Sequence, residues 1–262
     1  MNRSIFSIAT SISLIGGSHA AVLQDTFESY SPVSSDMNGK GGWVVSNGNP
    51  AILAEGPVAI LDSYTWDGSA KSATVGGVES IFGGITSMFN TSFAVPLFST
   101  TPQPTFFQIE TAYTESTQGK RNNFSFVLNA NSGNLLTLGF SPGISNQYDI
   151  TWSSGFVAGG PMAVGSVPAN TPTQFRLETS FDGTNVTYSL TNAGAPVSSG
   201  NLTGAAPTDV INSFAVNWDS ASNGGLGNNS ITIDNVSVVP EPTSALLGVL
   251  GASFALLRRR RA

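Results

Sequence analysis

The chain has 262 residues, 40% of them apolar and only 10% charged, with sixteen carboxylates, ten basic side chains and no cysteine. A chain this apolar folds, and with so few charges its surface must be built from Asn, Ser, Thr, Gln and Gly. No disulfide framework holds the fold. Five basic residues against sixteen acids remain between Ala21 and Glu241, a net charge of about −11, which excludes nucleic acid as a partner.

Met1-Asn2-Arg3 is a small positive region, Ile5–Ile15 is apolar, and Ser18-His19-Ala20 supplies small residues for cleavage before Ala21. Residues 1–20 therefore read as a secretory signal peptide with a short N-terminal signal helix. His19, the only histidine, leaves with it. The body then has no imidazole or thiolate, which excludes Ser-His-Asp and Cys-His catalysis and zinc sites of those ligands. Oxygen ligands remain, and they favour calcium.

Residues 21–239 form one domain whose apolar period is two. Strands are predicted over Ala59–Tyr64, Ile85–Val95 and Phe106–Tyr113. Phe124, Phe126, Leu128 and Ala130 alternate, turn at Asn131-Ser132-Gly133-Asn134, and continue through Leu136, Leu138 and Phe140. Tyr148–Trp152 follows. Phe175, Leu177 and Phe181 should be buried on one face, with Arg176 and Glu178 exposed on the other. Asp182-Gly183 then turns the chain into Val186–Leu190 as a hairpin. Phe214–Trp218 and Ile231–Val238 complete the set. Short strands without an amphipathic helix predict an all-β, two-sheet antiparallel sandwich.

After the body come Val239-Pro240-Glu241-Pro242, the uncharged run Thr243–Leu257, and Arg258, Arg259, Arg260 and Arg261. As a C-terminal hydrophobic helix, that run would reach roughly 22 Å, short of a hydrocarbon core of about 30 Å. The arginines would hold its end in the cytoplasm, as a cytoplasmic anchor. This order resembles the PEP-CTERM sorting signal of Gram-negative bacteria. The resemblance implies that residues 240–262 are a sorting signal read at the inner membrane by an exosortase. It further implies cleavage near Pro240-Glu241-Pro242 and release to the cell surface or extracellular matrix.

A second resemblance runs through the body. Asp25-Thr26-Phe27-Glu28-Ser29-Tyr30, Gly41-Gly42-Trp43, Phe181-Asp182-Gly183-Thr184 and Ile233-Asp234-Asn235-Val236-Ser237-Val238 are similar to landmarks of concanavalin A-like and carbohydrate-binding-module jelly rolls. It implies that the first and last strands are neighbours. It also implies a metal site, a structural calcium (Ca2+) between Glu28 and Asp234 with Asp25 as third ligand. Without that metal, Asp25 and Asp234 would accept hydrogen bonds from turn amides.

Sugars on such folds stack on aromatic rings. Trp218 and Trp152 alternate with apolar neighbours and belong to the core, and Trp43 would cap one end of the sandwich. Trp66, beside Asp67-Gly68, is the candidate carbohydrate-binding ring. Glu110 and Glu178 fall on polar strand faces without the close carboxylate spacing of a glycosidase. Lys120-Arg121 could serve a lyase with a tyrosine, but Arg121-Asn122-Asn123 reads as a loop. The expectation is an exported, non-catalytic, exosortase-sorted surface or matrix protein that contacts exopolysaccharide weakly. The alternatives are a calcium-stabilised lectin-like module and a secreted glycosidase or polysaccharide lyase.

Overall fold

The computed structural model describes residues 22–27, 37–47, 60–62, 72–76, 85–98, 104–115, 121–144, 146–206, 208–219 and 229–240. The expected signal-peptide and sorting-tail helices fall outside them, as do Glu28, Trp66, Lys120, Glu241, Pro242 and the four terminal arginines. Among the described residues no helix is long and apolar enough to cross a membrane.

Among the described residues, sixteen strands form two antiparallel sheets. The first sheet contains β1 (Leu23–Asp25), β3 (Ile60–Asp62), β4 (Ser72–Gly76), β7 (Thr105–Tyr113), β12 (Thr173–Phe181), β13 (Val186–Asn192), β14 (Ala195–Asn201) and β16 (Ser230–Pro240). Its order is β14-β13-β12-β7-β16-β4-β3, with β1 also on β16. The second contains β2 (Trp43–Asn47), β5 (Ile85–Asn90), β6 (Val95–Pro96), β8 (Asn123–Ala130), β9 (Gly133–Pro142), β10 (Gln147–Ser153), β11 (Met162–Pro168) and β15 (Val210–Asp219). Its order is β11-β10-β9-β8-β15-β5-β2, with β6 also on β15. This is the expected all-β sandwich, and its first and last strands pair, Leu23 opposite Val238 and Asp25 opposite Val236.

Aromatic side chains from alternating positions fill the space between the sheets. Phe214 of β15 meets Phe107 of β7 at 5.1 Å between centroids, Trp43 at 6.1 Å and Phe126 at 6.0 Å. Phe126 reaches Phe140, and Phe140 reaches Phe175 back in the first sheet. Burying each such ring contributes about 1.5–3 kcal/mol, so this aromatic array ties one sheet to the other. Trp218 and Trp152 lie in the core as read from sequence. Trp43 does too, fully buried.

Two expectations need correction. Ile85–Val95 is not one strand, because the buried Asn90 ends it. Asn90 Nδ2 donates to the carbonyl of Gly41, while its Oδ1 accepts from both the backbone N–H and the hydroxyl of Ser92. That local ring of bonds competes with the ladder and splits the segment into β5 and β6. In β12, Phe175 and Leu177 are buried, but Arg176 and Glu178 are half-buried rather than exposed, and Phe181 is only half-buried. The Arg176 guanidinium lies 4.2 Å from the Phe106 ring centroid, and Phe181 stacks on Phe98 at 5.0 Å.

The predicted hairpin between β12 and β13 is present. The Asp182 carboxylate accepts the N–H groups of Asn185 and Thr184, bonds that hold its pKa below the ordinary 3.8.

Candidate functional site

The site grows from one irregularity in β16. Apolar residues occupy Ile231 and Ile233, then Val236 and Val238, so the inward parity changes between 233 and 236. The ladder records this as a bulge: Asp234 faces Glu110 and Ser237 faces Gln108, leaving Asn235 and Val236 opposite Ile109 alone. Asn235 takes a left-handed φ of 47°, a conformation that Asn tolerates better than most residues. The bulge lies where β16 changes partners, from β4 (up to Ile233) to β1 (from Val236).

The bulge aims Asn235 across the outer face of the sheet. Its Nδ2 donates to Glu110 Oε2 at 3.0 Å, and Gln174 Nε2, from the opposite neighbour, donates to Glu110 Oε1 at 3.0 Å. One carboxylate is thus clasped between two carboxamides. In the next row Gln24, Ser237 and Gln108 lie side by side across β1, β16 and β7. Together with Thr26 these side chains line an open hollow on the outer face. Carboxamides and hydroxyls each donate and accept, as adjacent sugar hydroxyls require.

Asp25 fixes the rim of the hollow. Its Oδ1 accepts the N–H of Phe27 at 2.8 Å, turning the chain inward through a φ of 59° at Phe27. Its Oδ2 accepts Trp43 Nε1–H at 2.7 Å, and the Phe27 and Trp43 rings lie 5.9 Å apart. A buried carboxylate is tolerated because donors meet its oxygens. The preceding glycines serve the same packing: Gly42 has φ +83°, and a Cβ there would overlap Ser92.

Of the sequence-derived candidates, Asp25 and Asp234 are brought to one junction, on either side of the β1–β16 pairing. Asp234 is fully buried, and its Oδ1 accepts the N–H of Asn235. Among the described residues no group of three or more His, Cys, Asp or Glu side chains is placed to hold a metal ion. Calcium takes six to eight oxygens, and these two carboxylates alone do not make that shell. The trio's third member, Glu28, lies outside the described residues, as does Trp66. Val239 and Pro240, read from the sequence as the start of a sorting motif, form the last two residues of β16.

No ring among the described residues is exposed; the exposed large apolar side chains are Val22, Val44, Ile144 and Met162. Phe106, nearest the hollow, is covered by Arg176. Glu178 pairs with Phe106 and Glu110 with Gln174, four positions along the strands, so their backbones are about 14 Å apart. A glycosidase pair needs about 5–10 Å. Glu110 and Asp234 are direct cross-strand partners, but Asp234 has no exposed surface to offer a substrate.

Arg121, the lyase candidate, holds a hairpin. Its Nη1 and Nη2 donate to the carbonyls of Gln147 and Gly143, and its Cζ lies 5.6 Å from the Tyr148 ring centroid. Burial raises the pKa of Tyr148, and that of Tyr113 stacked 4.7 Å away, so both stay phenols rather than bases.

Sequence reasoning missed Glu110 and Gln108 as neighbours of the last strand, and Gln174 one strand beyond them. The parity change in Ile231–Val238 was the available signal.

No protein-family model matches the chain, and no curated protein matches it in sequence. Among solved structures it is similar to a sialidase, at TM-score 0.53 and 11% identity over 84% of this chain and 18% of that one. It is also similar to a conserved carbohydrate esterase from a Shiga toxin-encoding bacteriophage, at 0.51 and 12%, over 77% and 91% of the two chains. A third similarity is to the potassium-bound carbohydrate recognition domain of Emp46p, at 0.50 and 8%, over 81% and 94%. The chain spans less than a fifth of the sialidase's length. The shared feature is the fold, a concanavalin A-like sandwich found in lectin domains and in carbohydrate-active enzymes alike.

Proposed function

We propose that this is an exported, non-catalytic surface or extracellular-matrix protein whose sandwich holds exopolysaccharide weakly, in the hollow at the β16 bulge. The observation that carries the reading is Glu110 clasped by Asn235 and Gln174 beside Gln24, Gln108 and Ser237, a polar floor with no open ring to stack on among the described residues. Hydrogen bonding without stacking gives weak, sugar-tolerant contact. A body of about −11 favours an uncharged glycan over an anionic one.

Affinity electrophoresis through gels containing neutral exopolysaccharide tests this. The double variant Gln108→Ala with Asn235→Gly removes two carboxamides, and glycine keeps the left-handed backbone at 235. Losing one to two net hydrogen bonds should weaken retention about tenfold at an unchanged melting temperature. Unchanged retention would place binding elsewhere. Running the screen with and without calcium addresses the lectin-like reading through Glu28, Asp234 and Asp25. Release of sugar or unsaturated product would instead favour the glycosidase or lyase reading.

The same proposal takes the tail as an exosortase signal that passes through the inner membrane. Its support is the order Pro240-Glu241-Pro242, apolar run, arginines, and the pairing of Leu23 with Val238. That pairing brings both expected processing points to one end of the sandwich. Replacing Arg258 to Arg261 with Ser should leave unprocessed chain in the membrane fraction, since no other cations hold the tail inside. Normal surface release, followed by immunoblot of cell fractions, would sink the sorting claim.

A further inference from the structure

We propose that the flank ending in β11 is a self-association surface, on which a second copy of this chain pairs β11 to β11 in antiparallel fashion. The two sheets end on this flank in β11 and β14, which among the described residues bond only to β10 and β13. Five of the seven residues of β11 are exposed, so its outer backbone groups face solvent.

An edge this long normally carries charge or an interior proline to prevent pairing. β14 has Pro196 within it, which removes a donor from the ladder. β11 has neither defence. Its prolines stand at the margins, Pro161 before it and Pro168 as its last residue, and it contains no charge.

Charge placement identifies the occupant. No charged residue occurs between Asp149 and Arg176, nor between Asp182 and Asp209, two runs of twenty-six residues each. These runs carry β11, β13 and β14. The body as a whole holds about −11, so most approaches between two copies are repelled, and this flank is where repulsion is least. The nearest acid is Asp149, the register partner of Ser166. A two-fold axis near Val164 keeps the two Asp149 side chains on opposite sides of it. Val164 is itself the extra residue of a bulge, between Thr151 opposite Ala163 and Ile150 opposite Gly165. The bend shortens the usable ladder, so the dimer is weak and reversible, and its two-fold symmetry closes it against filament growth.

Sedimentation velocity of the full chain in mild non-ionic detergent, over roughly two decades of concentration, tests this. The wild type should pass reversibly from monomer to dimer, and added salt should strengthen the dimer by screening the like-charged bodies. Ala163→Lys places like charges across the axis and should leave a monomer of unchanged melting temperature. Ala163→Glu should do the same, and mixing the two variants should restore a dimer at low salt. Ser199→Lys on β14 should behave as wild type. A wild type that stays monomeric, a dimer indifferent to both Ala163 variants, or a dimer lost only in Ser199→Lys would each overturn the proposal.

Discussion

Asp25→Asn should lower the melting temperature by about 5–10 °C despite changing a single atom. The two carboxylate oxygens of Asp25 accept two buried donors, Phe27 N–H and Trp43 Nε1–H. An amide offers one acceptor and turns its NH2 on the other donor, leaving a buried N–H unmet at about 2–3 kcal/mol. In a domain of this size each kcal/mol moves the midpoint by about 2–4 °C. Trp43 emission should shift to the red as its ring loosens. Glycan retention should fall with it, because the turn after β1 forms the rim of the hollow. A shift below about 2 °C would mean that the clasp does not hold the rim.

A comparable loss is expected for Asn229→Ala. The fully buried Asn229 accepts the N–H of Asn122 through Oδ1 at 2.8 Å, and its Nδ2 donates to the carbonyl of Asn122 and to the Tyr148 hydroxyl. Asn229 precedes β16 in one sheet and Asn122 precedes β8 in the other, so this single carboxamide bridges the layers. Alanine deprives three buried polar groups of it at once, for about 3–4 kcal/mol. Asn229→Asp keeps the bond from Asn122 N–H and loses both donated ones, so it should fall between alanine and wild type. Urea denaturation checks both variants. The midpoint should fall while its slope stays constant, because the folded state, not the denatured one, has changed. Equal midpoints for alanine and wild type would refute the bridge.

What could be read from sequence follows from how each strand meets solvent. β8, β9, β12 and β13 have one face in the core and one outside, so Phe124 through Phe140 and Phe175 through Leu190 alternate visibly. β11 and β14 have little buried on either face; Met162–Pro168 and Ala195–Asn201 show no contrast between positions and passed unread. The pairing of the first and last strands was legible, because the landmark words placed Asp25 and Asp234 on them. Glu110 and Gln174 were not. Their meeting with Asn235 depends on the register of three strands and a bulge, with partners 64 and 125 residues apart in the chain. Trp43 was read as an end cap, since nothing local shows that its indole N–H reaches Asp25.

The position of β16 also bears on mechanics. It lies inside its sheet, bonded to β7 along one side and to β4 and then β1 along the other. The sequence continues from its last residue, Pro240, into the tail. A pull through that tail runs along the strand's own axis, so the bonds to three neighbours are loaded together in shear rather than opened one after another. Resistance to such a pull is set by an unfolding rate, and a strand gripped on both sides keeps that rate low. The strand that shapes the hollow is also the one through which tension would reach it.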